Sequence, residues 1–253
     1  MLSLLSRTPS DAPRGPRACL TPAEIDRFHR EGFLAIHDFT SPTDIDRLRR
    51  ILLRLYTRFT ELPRHQAIDL GDIGWHDGAP RIAEINWAVR LAPQLKSTMT
   101  FVRCWGIAEQ LMGCPLQYSG YDHAILKPPR NGSATAWHQD EAYKKPEDGP
   151  SIHFWIPLHD VSVEMGCMQF IPGSHLGPLL PHRLRDPRAH ALEAVGVDES
   201  AAVACPLPVG GATVHQTRTL HYTGPNVTEH PRLAWSVEFA LPRPWRWRLP
   251  FRR

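Results

Sequence analysis

The sequence has few cysteines and no long apolar run, and each absence excludes a class of protein. Its five cysteines are an odd number, widely spaced and without a Cys-x-x-Cys pair, so neither a disulfide framework nor a zinc ribbon is expected. A membrane-spanning helix needs about 18 or more apolar residues in a row, and no such stretch is present. The apolar patch before Arg7 is shorter than the core of a signal peptide. These absences together predict a soluble, cytoplasmic protein with no membrane partner.

The chain also has little excess charge of either sign. Lysine and arginine number 29 against 26 aspartate and glutamate residues, which leaves +3. Five arginines lie in the aromatic, basic tail 241–253, and subtracting them leaves −2 for the rest of the chain. Dedicated nucleic-acid-binding domains are more basic than this. We therefore expect no nucleic-acid partner, and we interpret the tail as an aromatic anchor with solvated arginines.

Proline is abundant, and its distribution predicts the organisation of the chain. The 25 prolines among 253 residues argue against a helical bundle. Residues 1–18, rich in proline, arginine and serine, are predicted to be disordered. The remainder, 19–253, is predicted to be one domain with a helical part at about 19–115, a jelly-roll core at about 116–240 and the basic tail.

Helix signals are confined to the amino-terminal part. Thr21 and Glu24 form the pattern of a capping box, and Gly32 predicts the end of that first helix. A short strand is predicted at 33–37, and a second helix opens at Ser41-Pro42. We expect a loop at 62–90 and a third helix from about Pro93 to Met112.

From Gln117 onward the pattern changes to short β-like runs separated by glycine, proline and asparagine. The runs are 117–127, 134–140, 152–158, 167–171, 202–205, 211–221 and 232–240. Several short strands with turn signals between them predict a mainly β sandwich or barrel. The expected architecture is a jelly roll with flanking amino-terminal α-helices.

The first chemically informative pair is His138 and Asp140. Residues i and i+2 of a strand point to the same face, so this imidazole and this carboxylate should converge. One nitrogen and one oxygen ligand form half of a facial metal site.

The second informative pair lies about 80 residues downstream. The turn signal Gly-Pro-Asn226 separates His221 from Arg232, which predicts that the two lie on neighbouring antiparallel strands. Arg232 shares its strand face with Ala234, Ser236 and Glu238, and the small side chains leave room beside the guanidinium for an anion.

These residues resemble the phytanoyl-CoA dioxygenase family of iron- and 2-oxoglutarate-dependent oxygenases. The matching segments, in chain order, are Leu20–Phe33, Lys127–Pro129, His138–Asp140, Gly166–His175 and His221–Asn226, with Arg232 eleven residues after His221. Each segment by itself is weak evidence for the resemblance, but five segments in the family's order are specific for this family.

The resemblance implies a double-stranded β-helix, cupin-like in architecture, and it assigns roles to residues. His138, Asp140 and His221 would be the catalytic Fe(II) ligands, leaving three positions for 2-oxoglutarate and O2. Arg232 would bind the distal carboxylate of 2-oxoglutarate, and Thr223 would add a hydroxyl donor. The implied reaction is hydroxylation of a small molecule with release of succinate and CO2. The substrate would be an acyl derivative, an amino acid or a secondary metabolite.

Several alternatives stay open on the sequence. The same iron site would also serve desaturation, epoxidation or cyclisation. A non-catalytic, cupin-like metal-binding protein would not need Arg232. A halogenase is disfavoured because Asp140 is present where halogenating relatives have a small residue.

Other residues carry weaker cases. Trp155, Tyr121 and Lys127 are candidates for the pocket, with structural roles as the alternative. His215 is expected on the same strand as His221 and competes with it as a ligand, but His221 matches the family motif. His175 is expected to make a structural hydrogen bond. The segments 62–90 and 176–200 are expected to shape the entrance, where Arg183, Arg185 and Arg188 could meet an anionic substrate.

Overall fold

The computed structural model describes residues 19–70, 80–145, 148–184 and 191–242. Segment 1–18, residues 185–190 with Arg185 and Arg188, and the basic part of the tail lie outside the described residues. The α-helices are α1 Pro22–Glu31, α2 Pro42–Tyr56, α3 Ala88–Leu91 and α4 Met99–Met112. The strands are β1 Phe33–Ile36, β2 Ala67–Asp69, β3 Ala83–Asn86, β4 Gln117–Lys127, β5 Thr135–His138, β6 Ser151–Pro157, β7 Met168–Phe170, β8 His182–Leu184, β9 Leu192–Ala194, β10 Val203–Cys205, β11 Ala212–Gln216, β12 His221–Thr223 and β13 Arg232–Ala240.

Helix α1 begins and ends at the predicted residues. The Thr21 amide donates to Glu24 Oε2 at 2.8 Å, and the Glu24 amide donates to Thr21 Oγ1 at 3.3 Å. These two bonds satisfy amides that the first helical turn leaves unpaired. Gly32 ends the helix at φ +85°, a left-handed conformation that favours glycine.

The third predicted helix is divided in two. Pro93–Ser97 forms a 3₁₀ helix, and α4 begins only at Met99. The division falls at Thr98, which is extended at φ −80° and ψ 148°, and whose hydroxyl accepts a hydrogen bond from the Phe101 amide. Thr98 therefore caps a new helix instead of continuing the old one.

The strands form two main antiparallel sheets. The large sheet has the order β1-β11-β6-β13-β4-β3-β2, and the small sheet has the order β10-β7-β12-β5. A separate hairpin pairs β8 with β9. Every strand pairing among the described residues is antiparallel. This arrangement is the predicted jelly roll, and the amino-terminal helices flank it.

The two faces of strand β13 show how the large sheet is used. Leu233, Trp235, Val237 and Phe239 belong to the main apolar core, together with helix residues such as Phe28, Leu48 and Phe101. Ala234, on the opposite face, joins Trp155, Met168 and Phe170 in a smaller cluster that includes both sheets. The helices therefore cover one face of the large sheet, and the other face is directed toward the small sheet and the site.

Three sequence predictions about strands were wrong. The segment 62–90 contains β2, β3 and the start of α3. Strand β3 does alternate apolar and polar residues, Ala-Glu-Ile-Asn, but β2 and β3 are only three and four residues long, too short for the alternation to predict a strand. The run 211–221 is two strands, so His215 and His221 lie in different sheets. His221 and Arg232 also lie in different sheets, because the chain crosses between sheets after the Gly-Pro-Asn226 turn.

No helix among the described residues combines the length and the apolar character needed to cross a bilayer.

Candidate active site

His138 and His221 are brought together by strand pairing. His138 is the last residue of β5, His221 is the first residue of β12, and the two are directly opposite each other in the antiparallel ladder. Their ring centroids lie 4.1 Å apart. Directly opposed residues on neighbouring strands have side chains on the same face, so the small sheet alone positions both imidazoles.

Asp140 completes this group from a different local structure than predicted. It begins a 3₁₀ helix, Asp140–Tyr143, and does not continue strand β5. Asp140 Oδ1 lies 3.5 Å from His138 Nε2 and 3.6 Å from His221 Nε2. One ligand atom from each of the three residues lies within 4.8 Å of the others. The convergence predicted from the i, i+2 spacing is present.

The tautomers of the two histidines fit metal ligation. His138 Nδ1 lies 2.8 Å from the Ala136 carbonyl oxygen, and His221 Nδ1 lies 2.9 Å from the Thr219 carbonyl oxygen. Carbonyl oxygens only accept, so each Nδ1 donates its hydrogen, and Nε2 is the ring nitrogen left to face a metal. Burial, with His138 nearby, holds the pKa of His221 well below its usual value, which favours the neutral imidazole that a metal requires. Two imidazole nitrogens and one carboxylate oxygen are a donor set suited to Fe(II).

A row of polar side chains crosses the large sheet behind Asp140. His215 on β11 is opposite His153 on β6, and Glu238 on β13 is opposite His153 on the other side. Asp140 Oδ2 lies 3.0 Å from His153 Nδ1 and 3.1 Å from His215 Nε2. Burial alone would raise the pKa of Asp140, but the facing histidines, His153 first and His221 next, hold it well below its usual value. Asp140 is therefore an ionised carboxylate with both oxygens engaged.

Glu238, at the end of this polar row, is held by three side chains. Its Oε1 lies 3.2 Å from His153 Nε2 and also contacts Lys144 Nζ and the Ser151 hydroxyl. Burial would raise the pKa of Glu238, but His153 and then Lys144 outweigh it and lower the pKa strongly. Glu238 is thus a second buried anion, and His153 lies between it and Asp140.

One cavity of about 550 Å³ is lined both by His138, Asp140 and His221 and by the polar row of His215, His153 and Glu238. Arg232, on its wall, is 1% exposed, and its Nε and Nη1 have no hydrogen-bond partner in the described structure. Its Cζ lies 5.4 Å from the ring centroid of Trp155. Burial lowers the pKa of Arg232 to about 10. A buried guanidinium with free donors is suited to a planar carboxylate from a ligand.

Thr223 and Lys127 lie beside Arg232 but play different parts. Thr223 lines the cavity, whereas Lys127 is fully buried and is not among the lining residues. Lys127 Nζ donates to Thr223 Oγ1 at 2.9 Å, to the Thr223 carbonyl at 3.1 Å and to the Gly224 carbonyl at 2.6 Å. Since Thr223 Oγ1 accepts from Lys127, its own hydrogen remains available for a ligand. Lys127 therefore holds Thr223 in place.

The structure also locates the other predicted residues. Trp155 and Tyr121 line the cavity, and the Tyr121 hydroxyl donates to Asn86 Oδ1 at 3.1 Å. His175 Nε2 lies 3.0 Å from the His29 carbonyl oxygen, which confirms the structural hydrogen bond. Arg183 Nη2 lies 3.3 Å from Glu193 Oε2 on the β8-β9 hairpin.

Both segments predicted to shape the entrance contribute to the cavity wall. Leu70, Glu84, Trp87 and Arg90 come from 62–90, and Ala191 and Leu192 come from 176–200.

Sequence reasoning missed His153 and did not assign a role to Glu238. The signal for His153 was its even spacing to Trp155 on one strand, and the signal for Glu238 was the strand face that it shares with Arg232. Neither signal was sufficient, because only the strand order shows that Glu238 adjoins His153, which in turn contacts Asp140.

Comparisons with known proteins agree with this geometry. A sequence profile of the phytanoyl-CoA dioxygenase (PhyH) family matches residues 28–234, which is most of the 253-residue chain. The chain belongs to the phytanoyl-CoA dioxygenase family. It is therefore an enzyme of an oxygenase family, and its jelly roll is the fold of that family.

Two curated relatives illustrate the range of the phytanoyl-CoA dioxygenase family. A probable alpha-ketoglutarate-dependent hypophosphite dioxygenase of Stutzerimonas stutzeri is 32% identical over 126 residues, which are 47% of this chain and 44% of that protein. The alignment thus spans less than half of the relative's length. Phytanoyl-CoA dioxygenase domain-containing protein 1 of Bos taurus is 22% identical over 260 residues, covering 87% of this chain and 89% of that protein.

Solved structures of the family share the fold. EvdO2 from Micromonospora carbonacea var. aurantiaca, crystallised with 2-oxoglutarate, has a TM-score of 0.75 and 34% identity, covering 90% of this chain and 97% of that chain. The epimerase SnoN, in complex with Fe3+, alpha ketoglutarate and nogalamycin RO, has a TM-score of 0.67 and 24% identity, covering 87% and 82% of the two chains. At that lower identity SnoN supports the fold alone.

Proposed function

We propose that this protein is a non-haem Fe(II)- and 2-oxoglutarate-dependent dioxygenase that hydroxylates an aliphatic carbon of a small molecule, releasing succinate and CO2. The observation that carries the proposal is the placement of His138, Asp140 and His221 in one cavity with the unpaired, buried Arg232. A protein that bound metal only for structure would have no use for a buried cation with free donors.

Each residue has a defined task in this proposal. His138, Asp140 and His221 would hold iron on one face through two nitrogens and one oxygen. Bound iron, with 2-oxoglutarate and O2, would supply the oxidising power for an unactivated C–H bond. Arg232 and Thr223 would bind and orient the distal carboxylate of 2-oxoglutarate. His221, Thr223 and Arg232 are buried and His138 and Asp140 are partly buried, which limits contact with bulk water and strengthens these polar contacts.

The cavity sets the class of substrate. A volume of about 550 Å³ is typical of a small-molecule site and must also hold 2-oxoglutarate. The proposed partners are accordingly small molecules, with neither nucleic acid nor membrane. Hydroxylation, desaturation, epoxidation and cyclisation use the same metal ligands. The mass of the product separates addition of one oxygen atom (hydroxylation or epoxidation) from loss of two hydrogen atoms (desaturation or cyclisation), and NMR of the product distinguishes the members of each pair.

The test is anaerobic titration of Fe(II)-loaded protein with 2-oxoglutarate, followed by visible absorption. We expect the weak metal-to-ligand charge-transfer band of a chelated 2-oxo acid in the wild-type protein. Asp140→Ala should abolish the band because it removes one of the three metal ligands. Once the band is established, release of succinate from candidate compounds identifies substrates.

Absence of the band and of 2-oxoglutarate binding in iron-loaded, folded protein would contradict the proposal and favour a metal-binding protein without catalysis.

A further inference from the structure

We infer that His153 and His215 are positioning residues that hold the outer oxygen of Asp140, so that this carboxylate offers only one oxygen to the metal. The inference rests on the proposed function, because it concerns the same metal site. It assigns a task to side chains that the iron and 2-oxoglutarate roles leave unused.

The geometry separates the two oxygens of Asp140. Oδ1 lies 3.5 Å from His138 Nε2 and 3.6 Å from His221 Nε2. Oδ2 points the other way, at 3.0 Å from His153 Nδ1 and 3.1 Å from His215 Nε2. One carboxylate thus faces two pairs of histidines, one pair through each oxygen.

This division matters for the number of open coordination positions. A three-residue facial site leaves three positions of an octahedral metal, two for 2-oxoglutarate and one for O2. If Asp140 rotated and bound through both oxygens, one of those positions would be filled. Contacts to Oδ2 from His153 and His215 oppose that rotation, as partners of a ligating carboxylate orient it in other metal sites.

The large sheet fixes the positions of His153 and His215 relative to each other. His215, His153 and Glu238 occupy opposed positions on three adjacent strands, β11, β6 and β13. Glu238 Oε1 lies 3.2 Å from His153 Nε2 and is itself held by Lys144 and Ser151. His153 thus has a carboxylate oxygen near each ring nitrogen, and the strand register of the large sheet sets its position relative to Asp140.

A competing assignment makes His153 and His215 the ligands, since they also form a metal-sized group with Asp140. The ring nitrogens argue against it. Both nitrogens of His153 lie against carboxylates, and the pair lacks the Nδ1-to-carbonyl bonds that orient His138 and His221. A ligating histidine uses one nitrogen for the metal and fixes the other through a hydrogen bond of this kind.

The test is anaerobic titration of metal-free protein with Co(II), whose visible spectrum reports coordination number. The variants are His153→Leu, His215→Leu and His215→Gln, and His138→Leu is the ligand control. We expect both leucine variants to bind Co(II) about 10–100-fold more weakly, with a changed spectrum. His215→Gln should recover most of the wild-type spectrum because its amide donates to Oδ2.

Two controls separate this role from a general effect on folding. His175→Leu removes a buried histidine outside the cavity and should leave affinity and spectrum unchanged. Thermal unfolding of each metal-free variant identifies loss of the fold.

The outcomes are distinct. Leucine variants with wild-type affinity and spectrum would overturn the inference, and so would complete loss of Co(II) binding equal to that of His138→Leu, which would make His153 and His215 ligands. Failure of wild-type protein to bind Co(II), or an unaffected His138→Leu, would instead contradict the proposed function.

Discussion

Arg232 is a buried charge whose energetic balance depends on a ligand. Its Nε and Nη1 have no protein acceptor in the described structure, and desolvation lowers its pKa to about 10. An uncompensated buried charge destabilises a fold, so Arg232 lowers the unfolding free energy of the ligand-free protein. A bound carboxylate would supply the missing acceptors. Arg232 therefore links stability to occupancy of the site.

Arg232→Met is predicted to weaken 2-oxoglutarate binding by about 2–5 kcal/mol, because a buried anion would lose its cationic partner. The unfolding free energy of the ligand-free variant should stay level or rise, since an unpaired charge is replaced by an apolar side chain. Calorimetric titration of Mn(II)-loaded protein measures the first quantity, and denaturant unfolding measures the second.

The control is Arg183→Met, which removes an exposed arginine paired with Glu193 and should leave both quantities unchanged. Unchanged 2-oxoglutarate affinity in Arg232→Met would remove Arg232 from the site.

Lys127 shows a different use of a buried cation. Its three donors are all satisfied by Thr223 and Gly224, at the turn that leads from β12 toward β13. Burial, and then the nearby Arg232, hold the pKa of Lys127 well below its usual value. Because the amine is saturated by protein oxygens, we interpret Lys127 as support for Thr223 and not as a substrate contact.

At the scale of elements, two glycines end helices in the same way but in different surroundings. Gly32 ends α1 at φ +85°, and Gly113 ends α4 at φ +65°. A Cβ at Gly32 would lie 2.6 Å from Thr219 Oγ1 and 2.8 Å from His175 Cγ, whereas a Cβ at Gly113 would meet no atom within 4 Å. The helix end at Gly32 is thus packed against the chain just before His221.

Gly113→Ala is predicted to lower the unfolding free energy by about 1–2 kcal/mol, the strain of a left-handed alanine. Gly32→Ala should carry the same strain plus about 1–3 kcal/mol for the overlap with Thr219 and His175. Denaturant unfolding of the two variants measures the difference directly. Equal losses would show that the contact at Gly32 relaxes without cost.

At the scale of the whole molecule, the cavity is assembled from both sheets. The small sheet supplies His138 and His221, and the large sheet supplies Arg232, His153 and Glu238. Metal and 2-oxoglutarate would therefore bind groups from both sheets at once. Occupancy should stabilise the entire jelly roll and not one loop.

Mn(II) with 2-oxoglutarate, at about 100 times the dissociation constant, is predicted to stabilise the protein by about 2.7 kcal/mol. For a chain of this size that corresponds to a rise of about 5–10 °C in the thermal midpoint. A chelator should reverse the rise, which differential scanning calorimetry would record.

His138→Ala is the matched control for this experiment and should show no rise. The same rise in His138→Ala would mean that the metal stabilises the protein from another site.

Much of the fold was predictable because local signals agreed with the final structure. The capping box at Thr21 and the glycine at position 32 depend on contacts at the ends of one helix, and the alternation along β13 follows from the two faces of one strand, so sequence pattern reveals them. The strands β2 and β3 were missed for the opposite reason. Both strands are short, and β3 is buried on both faces. They form because β2 pairs with β3 and β3 pairs with β4.

The sequence by itself determined the metal-ligand candidates, because His138 and Asp140 are near neighbours and the motif around His221 and Arg232 is specific. Only the tertiary structure decided what surrounds them. His215, His153 and Glu238 come from three separated parts of the chain, and the strand order of the large sheet places them side by side, with His215 and His153 against Asp140. Strand order is set by packing between distant segments, which leaves no local pattern. The candidate ligands were therefore predictable, whereas the residues that surround Asp140 were not.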